Sequence, residues 1–454
     1  MTPIKRIFIA NRGEIAVRII RTCRALGIET VLGVSQADRD SLGAQLADRA
    51  VVLGPAPSTQ SYLKVGTVVQ AALGTGCDAI HPGYGFLSEN KALAEACANE
   101  GLIFIGPSPD NLDAVGDKLT ARTHAENAKV PLVPGGSVDT VEEAQALATA
   151  VGFPMLIKAV AGGGGRGMKR VDRAEDLPAQ LDLAISEAAA AFGDGRVYLE
   201  RYVTVGRHVE VQILSDGEAI LHAGERDCSV QRRYQKVVEE APAPHLPEAM
   251  RKGLHDAAIA YARHINYRSL GTVEFLVDVE RGEFYFLEMN ARVQVEHPVT
   301  EAITGLDLIA LQIAIAEGRP LGMTQDDIVL TGHAIECRLN AEDPDNGFMP
   351  SPGRVSQAWF PSMPGLRVDT HMTPGAMIPP YYDSMVAKLI THGTTRDEAI
   401  ATMQTALKVC ALTGVKTNAG LHAAIMGDET FQQGGVDTAY LPGLLARIQQ
   451  GGKA

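Results

Sequence analysis

Cysteine is sparse and scattered in this chain. Its six cysteines (Cys23, Cys77, Cys97, Cys228, Cys337, Cys410) form no CxxC pair. Neither a zinc site nor a disulfide framework is therefore expected, and a reducing cytoplasm is the simplest compartment. No apolar run approaches the ~20 residues a membrane helix needs. The apolar run at 7–10 is broken by Asn11, Arg12 and Glu14, too early for a signal peptide. Positive charge is not in excess either. Lys and Arg number 41 against 54 Asp and Glu, a formal net charge of −13, which argues against a nucleic-acid footprint but leaves room for a local anion pocket. The fingerprint GxGxxG is missing after the first strand signal, which weakens a nicotinamide or flavin reading. The P-loop pattern GxxxxGK[ST] is absent as well.

What remains is a globular composition, 46% hydrophobic and 21% charged, over 454 residues, enough for two to four domains. Residues 7–10 read as a buried strand. Ile15, Ile19, Cys23 and Leu26 then recur at helical spacing, with Gly27 as the stop. Further strand signals at 29–34, 78–80 and 102–107 make residues 1–112 an alternating α/β unit with a parallel sheet. From 113 the pattern changes. A helix is expected over 118–128 and strands over 154–159 and 168–171, and residues 200–330 alternate as in an antiparallel sheet, ending in a helix at 308–317. A third unit, rich in Pro and Gly, begins near 331 and turns helical at 396–409.

Two segments carry chemistry on their own terms. The loop at 162–167 (GGGGRG) leaves backbone amides unshielded, with Lys158 before it and Arg166 inside it. It is either a phosphate cradle or a surface turn. The second segment, 270–290, reads as a β-hairpin with 280–282 as its three-residue loop. That loop sets a register with Asp278 facing Phe284, Leu276 facing Phe286 and Glu274 facing Glu288. Val273, Phe275, Val277, Tyr285, Leu287 and Met289 then form a core face, and Glu274, Glu288 and Asn290 share the other. Opposed carboxylates ~5 Å apart at Cβ repel unless a cation or proton sits between them. An all-oxygen set suits Mg²⁺ or Mn²⁺ with nucleotide phosphates.

Polar residues then occupy every second position from Glu288 through Asn290, Arg292 and Gln294 to Glu296, all on one face of an extended chain. A straight strand would put Glu288 and Glu296 about 26 Å apart. Either the chain bends after Asn290 or the site is elongated. Arg292 suits a small oxyanion and Glu296 a general base beside it. The segments 225–240 and 332–340 (with Arg338) add positive charge. Alone, such arginines are more often structural ion-pair partners than ligand groups, and Cys228 reads as a packed thiol.

Several long motifs together resemble biotin carboxylase: 9–16 (IANRGEIA), 81–90 (HPGYGFLSEN), the 158–168 glycine loop, 225–244, 288–301, 333–344 and 379–385 (PPYYDSM). The resemblance spans about residues 4–445. It implies an α/β and α+β fold in three parts: a Rossmann-like domain (1–112), an ATP-grasp domain (113–330) with a mobile lid (about 131–203), and an α+β C-terminal domain (331–446). It implies ATP- and bicarbonate-dependent carboxylation of biotin on a carrier protein.

By that resemblance, Lys118 and Lys158 contact ATP phosphates, and Gly164 and Gly165 lie in the lid. Glu200, Arg201, Tyr202 and Val203 line the adenine hinge, with His208, Gln231, Tyr234 and Leu276 nearby. Glu274 and Glu288, helped by Asn290, hold two Mg²⁺ or Mn²⁺ ions. Lys236, Arg292, Gln294 and the Val295 amide bind bicarbonate, which Glu296 deprotonates for attack on the γ-phosphate. The resulting carboxyphosphate gives CO₂ and phosphate, and the phosphate takes the ureido proton of biotin. Arg338 stabilises the biotin enolate, with Tyr84 and Asp383 close to biotin. The family usually has His at Tyr234, Thr at Ala291 and His at Ala439, departures that bear on nucleotide affinity. The chain has no Met-Lys-Met biotin-accepting segment, so a separate carrier is expected; the resemblance further implies carboxyltransferase subunits and a homodimer, as in acetyl-CoA carboxylase or related acyl-CoA, pyruvate or urea systems. Two other readings stand beside this one. A different ATP-grasp ligase would share Glu274, Glu288 and the glycine loop but has no need of the 292–296 segment with Arg338. An inactive scaffold is disfavoured by the presence of the metal carboxylates and Glu296.

Overall fold

A computed structural model describes residues 3–138, 140–161 and 167–451. Gly164 and Gly165 lie outside the described residues.

The first region is a parallel sheet of β1 (Arg6–Ile9), β2 (Glu29–Ser35), β3 (Arg49–Gly54), β4 (Ala79–His81) and β5 (Ile103–Phe104), ordered β3-β2-β1-β4-β5. The helix Gly13–Ala25 buries Ile15, Ile19 and Cys23 on this sheet, and the chain turns away at Gly27 with φ +71°, a left-handed conformation that glycine adopts without a Cβ penalty. β3 escapes the sequence reading because its residues are largely exposed or half-buried and carry no clean period-two signal.

A small four-stranded sheet follows: β6 (Gly135–Val138), β7 (Met155–Ala159), β8 (Met168–Val171) and β9 (Val197–Arg201), ordered β6-β9-β7-β8. The helices Val141–Val151 and Leu177–Phe192 cover it. Together they enclose an apolar core of their own, with Met155, Ile157, Leu181 and Leu199 at its centre.

The largest sheet is antiparallel and has eight strands. It runs β14 (Glu283–Asn290), β13 (Ser269–Asp278), β10 (Gly206–Ser215), β11 (Ile220–Arg232), β12 (Gln235–Ala241), β15 (His333–Asn340), Met385–Gly393 and Leu366–Thr370. The boundary expected near 331 is crossed by this sheet: β12 pairs with β15, with Val238 opposite Cys337 and Glu239 opposite Glu336. One end of the sheet packs on the helix Glu248–His264, around Val211, Tyr261 and Phe275. The other end packs on the helix Arg396–Val409, around Leu389 and Met403.

The β13–β14 hairpin corrects the expected register. Glu274 pairs with Glu288 as expected, but a bulge between Glu274 and Phe275 shifts the outer half by one residue. Phe275 faces Phe286, Leu276 faces Tyr285 and Asp278 faces Glu283. The turn is four residues, 279–282, closed by a bond from the Gly282 amide to the Asp278 carbonyl (2.9 Å) with Gly282 at φ +64°. Phe286 therefore joins the core beside Tyr261, while Tyr285 moves to the opposite face with Leu276, Val203 and Val133. An extra residue in one strand flips the alternation beyond it.

No single helix among the described residues is long and apolar enough to cross a membrane. The apolar helices His297–Thr304 and Leu308–Ala316 meet at 99° and contribute buried residues to the core.

Candidate active site

The sheet registers line up four charges in one row. Arg226 on β11 lies opposite Glu210 on β10, Glu210 opposite Glu274 on β13, and Glu274 opposite Glu288 on β14. Directly opposed residues share a face, so three carboxylates stand side by side. Arg226 is fully buried and donates to Glu210 Oε1 (2.6 Å), Gln212 Oε1 (2.8 Å), Thr300 Oγ1 (2.9 Å) and Thr272 Oγ1 (3.1 Å).

Lys236, near the start of β12, reaches into this row. Its ammonium lies 2.5 Å from Glu210 Oε2, 2.9 Å from Glu274 Oε1 and 2.7 Å from Glu296 Oε1. Burial alone would lower its pKa, but the surrounding acidic groups (Cys228, Glu210, Glu274, Glu296) outweigh it and hold the pKa well above normal. Burial would likewise raise Glu296, yet Lys236, Arg338 and Arg226 hold it well below the usual carboxylate range. Arg338 Nη2 lies 2.9 Å from Glu296 Oε2 and 2.5 Å from Glu239 Oε1. The Glu239 contact is an ion pair without hydrogen-bond angles. Arg338 is thus both an ion-pair partner and a border of the cavity.

Of the two alternatives the sequence left open, the structure shows the bend. β14 ends at Asn290, and the chain folds back at once: Gln294 Nε2 donates to Asn290 Oδ1 (2.5 Å) and to Glu274 Oε1 (3.1 Å). Arg292 fixes the turn, donating to Glu89 Oε2 (2.9 Å), Gln294 Oε1 (2.7 Å) and Asn290 Oδ1 (3.1 Å). Glu89 also accepts from the Ala291 amide (3.0 Å). The two ends of the 288–296 segment are therefore joined through Lys236, which bridges Glu274 and Glu296.

These groups border a cavity of about 740 Å³. Of the residues singled out in the sequence, Tyr84, His208, Tyr234, Lys236, Glu274, Glu288, Asn290, Arg292, Gln294, Val295, Glu296, Arg338 and Asp383 line it. His208 Nε2 lies 2.9 Å from Glu274 Oε2, and His208 Nδ1 is 2.7 Å from Gln231 Nε2. Burial lowers the His208 pKa, but Glu274 overrides it and the net direction is up. Glu288 is pushed up by burial and by Glu274. Burial would raise Glu274 too, but Lys236 and His208 hold it well below the usual carboxylate range, and the opposed carboxylate oxygens suit a divalent cation. Asn290 turns its amide nitrogen toward Glu288 Oε1 (3.2 Å) while its oxygen accepts from Gln294 and Arg292.

Profiles of three known domains match the chain: "Biotin carboxylase, N-terminal domain" over 3–112, "Carbamoyl-phosphate synthase L chain, ATP binding domain" over 117–324, and "Biotin carboxylase C-terminal domain" over 336–443. The chain is 50% identical to a biotin carboxylase from Nostoc sp. over 439 residues, 96% of this chain and 98% of that one. The chain belongs to the biotin carboxylase family. A crystal structure of the Campylobacter jejuni biotin carboxylase, described as a β-γ-ATP complex, superposes with a TM-score of 0.93 at 44% identity, covering 97% of this chain and 98% of that one. The biotin carboxylase domain dimer of Hydrogenobacter thermophilus 2-oxoglutarate carboxylase, in complex with MgADP, ADP and bicarbonate, gives 0.92 at 43% identity, covering 98% and 99%. The ATP-grasp fold and the character of an ATP-dependent ligase follow from this membership.

The other expected nucleotide residues stand apart from the cavity wall, on the small sheet and its junction. Lys158 on β7 pairs with Glu200 on β9, with Arg122 3.9 Å from the same carboxylate. Burial lowers Lys158, but Glu200 carries its pKa above normal. Lys118 is pushed down by burial against the opposing pull of Glu288. Arg201 bonds Tyr285, the Tyr202 ring packs under Arg170 at 4.5 Å, and Val203 packs with Leu276. Of the three departures from the family pattern, Tyr234 is 61% accessible at the tip of the β11–β12 turn. Arg233 and Tyr234 have φ +50° and +65°, the two left-handed positions of a tight hairpin turn usually given to Asn and Gly. Ala291 is buried, and Ala439 follows Thr438, whose amide bonds the Gly206 carbonyl at the start of β10 (2.9 Å).

Sequence reasoning missed Glu210, Glu89, Glu14 and Glu239. Glu89 lies inside the 81–90 motif, where an acid beside the asparagine cap was the available signal. Glu210 had none, because its partners Lys236 and Glu274 are 26 and 64 positions away and meet only through strand pairing.

Proposed function

We propose that this chain uses ATP and bicarbonate to carboxylate biotin held on a separate biotin carboxyl carrier protein, as the first half-reaction of acetyl-CoA carboxylase or a related carboxylase. The observation that carries this reading is Lys236, whose ammonium ties Glu274 to Glu296 beside Arg338. That contact supports reading Glu274 as a cation ligand, Glu296 as a base and Arg338 as an oxyanion partner within one cavity.

We keep the division of 1–112, 113–330 (lid about 131–203) and 331–446 as a division of roles along the chain, although the eight-stranded sheet runs across the boundary near 331. Lys118 and Lys158 face the phosphates, and Glu200, Arg201, Tyr202 and Val203, with His208, Gln231, Tyr234 and Leu276, surround the adenine side. Glu274 and Glu288, with Asn290, hold Mg²⁺ or Mn²⁺, one or two ions, which would offset charge on the phosphates. Lys236, Arg292, Gln294 and the Val295 amide bind bicarbonate. An anion bound there competes with Glu296 for Lys236 and Arg338, which returns basicity to the Glu296 carboxylate. Glu296 then takes the bicarbonate proton as the bicarbonate oxygen attacks the γ-phosphorus and ADP leaves. The carboxyphosphate breaks to CO₂ and phosphate, the phosphate removes the ureido proton of biotin, and Arg338 faces the resulting enolate oxygen. Tyr84 and Asp383 line the biotin side. Carboxyltransferase subunits and a second copy of this chain complete the assembly, in the cytoplasm.

The test is ATP hydrolysis by the purified chain with Mg²⁺. Hydrolysis should rise when both bicarbonate and free biotin are supplied, with carboxybiotin as product. Turnover indifferent to biotin would favour a different ATP-grasp ligase.

A further inference from the structure

One buried cation lies behind the cavity wall. Lys388, on the strand Met385–Gly393, has no solvent exposure. Strand pairing sets it opposite Arg338 on one side and Asp369 on the other. Its ammonium donates to the Val295 carbonyl (2.7 Å) and lies 3.2 Å from Glu14 Oε1. Glu14 in turn accepts from the Tyr84 hydroxyl. Burial lowers the Lys388 pKa, and Glu14, Glu336 and Asp369 more than offset it, so the group is a cation.

Val295 and Tyr84 both border the cavity, and under the proposed function they serve different substrates. A peptide is planar, so fixing the Val295 carbonyl fixes the plane of the peptide that joins Val295 to Glu296. A lysine with its side chain fully out of water is costly unless its hydrogen bonds are made. Here a hydrogen bond goes to a main-chain carbonyl of the anion side, and an ion pair at 3.2 Å reaches the carboxyl group that holds the biotin-side phenol.

We infer that Lys388 is a positioning residue that ties the bicarbonate side of the cavity, through the Val295 carbonyl, to the biotin side, through Glu14 and Tyr84. This inference rests on the proposed function. Lys388 touches neither substrate. It sets the geometry of the groups that do, holding each side through a contact of its own.

The experiment compares steady-state kinetics of the full chain and of Lys388→Met, with bicarbonate, biotin and ATP varied in turn. Loss of the bond to Val295 should raise KM for bicarbonate about tenfold, as expected for one buried hydrogen bond to a charged donor, with KM for ATP unchanged. A merely structural role would reduce the active fraction, lowering kcat with every KM intact, and that result would overturn the inference. Glu14→Gln decides the matter if Lys388→Met does not fold, because it keeps the ammonium and its bond to Val295. It should raise KM for biotin while that for bicarbonate stays within about twofold. Unchanged biotin KM, or equal changes in both, would also overturn the link. The parent chain serves as the control. If it shows no biotin-stimulated turnover, the proposed function fails rather than the role of Lys388.

Discussion

Glu225 and Arg226 are neighbours on β11, yet their side chains enter two different kinds of interior. Successive residues of a strand point to opposite faces. Glu225 turns toward the helix Glu248–His264, where Oε1 accepts from the Ala243 amide (3.1 Å) and Arg251 Nε (2.9 Å) and Oε2 pairs with His255 Nε2 (2.8 Å). Arg226 turns toward Glu210 and the cavity cluster. Both clusters are buried and charged. The Glu225 carboxylate has both oxygens partnered and does not line the cavity described above. On the other face, both oxygens of Glu239 and of Glu336, with Arg338 Nε, make no hydrogen bond among the described residues. A saturated charge cluster holds structure. One whose charged groups line a cavity, as Lys236, Glu274, Glu296 and Arg338 do, can exchange partners with a substrate, and that distinguishes the site from its twin one residue away.

The same change made on each face should separate the two roles. Glu296→Gln is expected to lower kcat at least about 100-fold, the scale of general-base catalysis. Its melting temperature should stay near that of the parent, because Glu210, Glu239 and Glu274 still face Lys236 and Arg338. A melting temperature that collapses together with activity would merge the two clusters into one structural class.

Glu225→Gln should do the reverse. It breaks a saturated buried pair, so the expected loss is about 3 kcal/mol of stability by denaturant titration, with KM and kcat of the surviving folded protein unchanged. Burial would raise the Glu225 carboxyl, but His255 and Arg251 bring it down to about 2. A depressed carboxyl contributes stability above its usual value near ~4.3 and loses it as pH falls toward the folded value. The gap between parent and variant should therefore close as the titration is repeated in more acidic buffers.

The smallest effect is expected at Glu239, which burial pushes up to about 7 against the opposing pull of Arg338. The folded protein favours the protonated form here. Stability from this group is complete below the usual carboxylate value and is lost as pH rises through about 7. Glu239→Gln should flatten the fall in melting temperature between mildly acidic and mildly alkaline buffers. An identical pH profile in parent and variant would place Glu239 with the saturated class.

Local signals carried much of this site into the sequence. Helical periodicity marked Arg396–Val409 at both ends, helped by the Thr395 and Glu398 capping box. The hairpin turn placed Glu274 against Glu288, although the bulge beyond them was invisible because an extra residue leaves no compositional trace. Length arithmetic offered the turn after Asn290 as one of two alternatives. Its cause, Arg292 bound to Glu89, spans 203 positions and no periodicity can express it. Lys236 was named only through the family likeness, and its meeting with Glu210, Glu274 and Glu296 depends on which strands become neighbours.

The β12–β15 ladder has a consequence for how the chain can be divided. Lys236 sits on β12 and Arg338 on β15, adjacent strands of one hydrogen-bonded surface. A fragment ending near residue 331 would leave β12 as a raw sheet margin, with a row of unpaired amides and carbonyls ready to recruit other chains. The third region is therefore not a detachable appendage. It supplies the selvedge of the fabric into which the base and its partners are woven, and the protein cannot be shortened to its nucleotide-binding part without fraying the site itself.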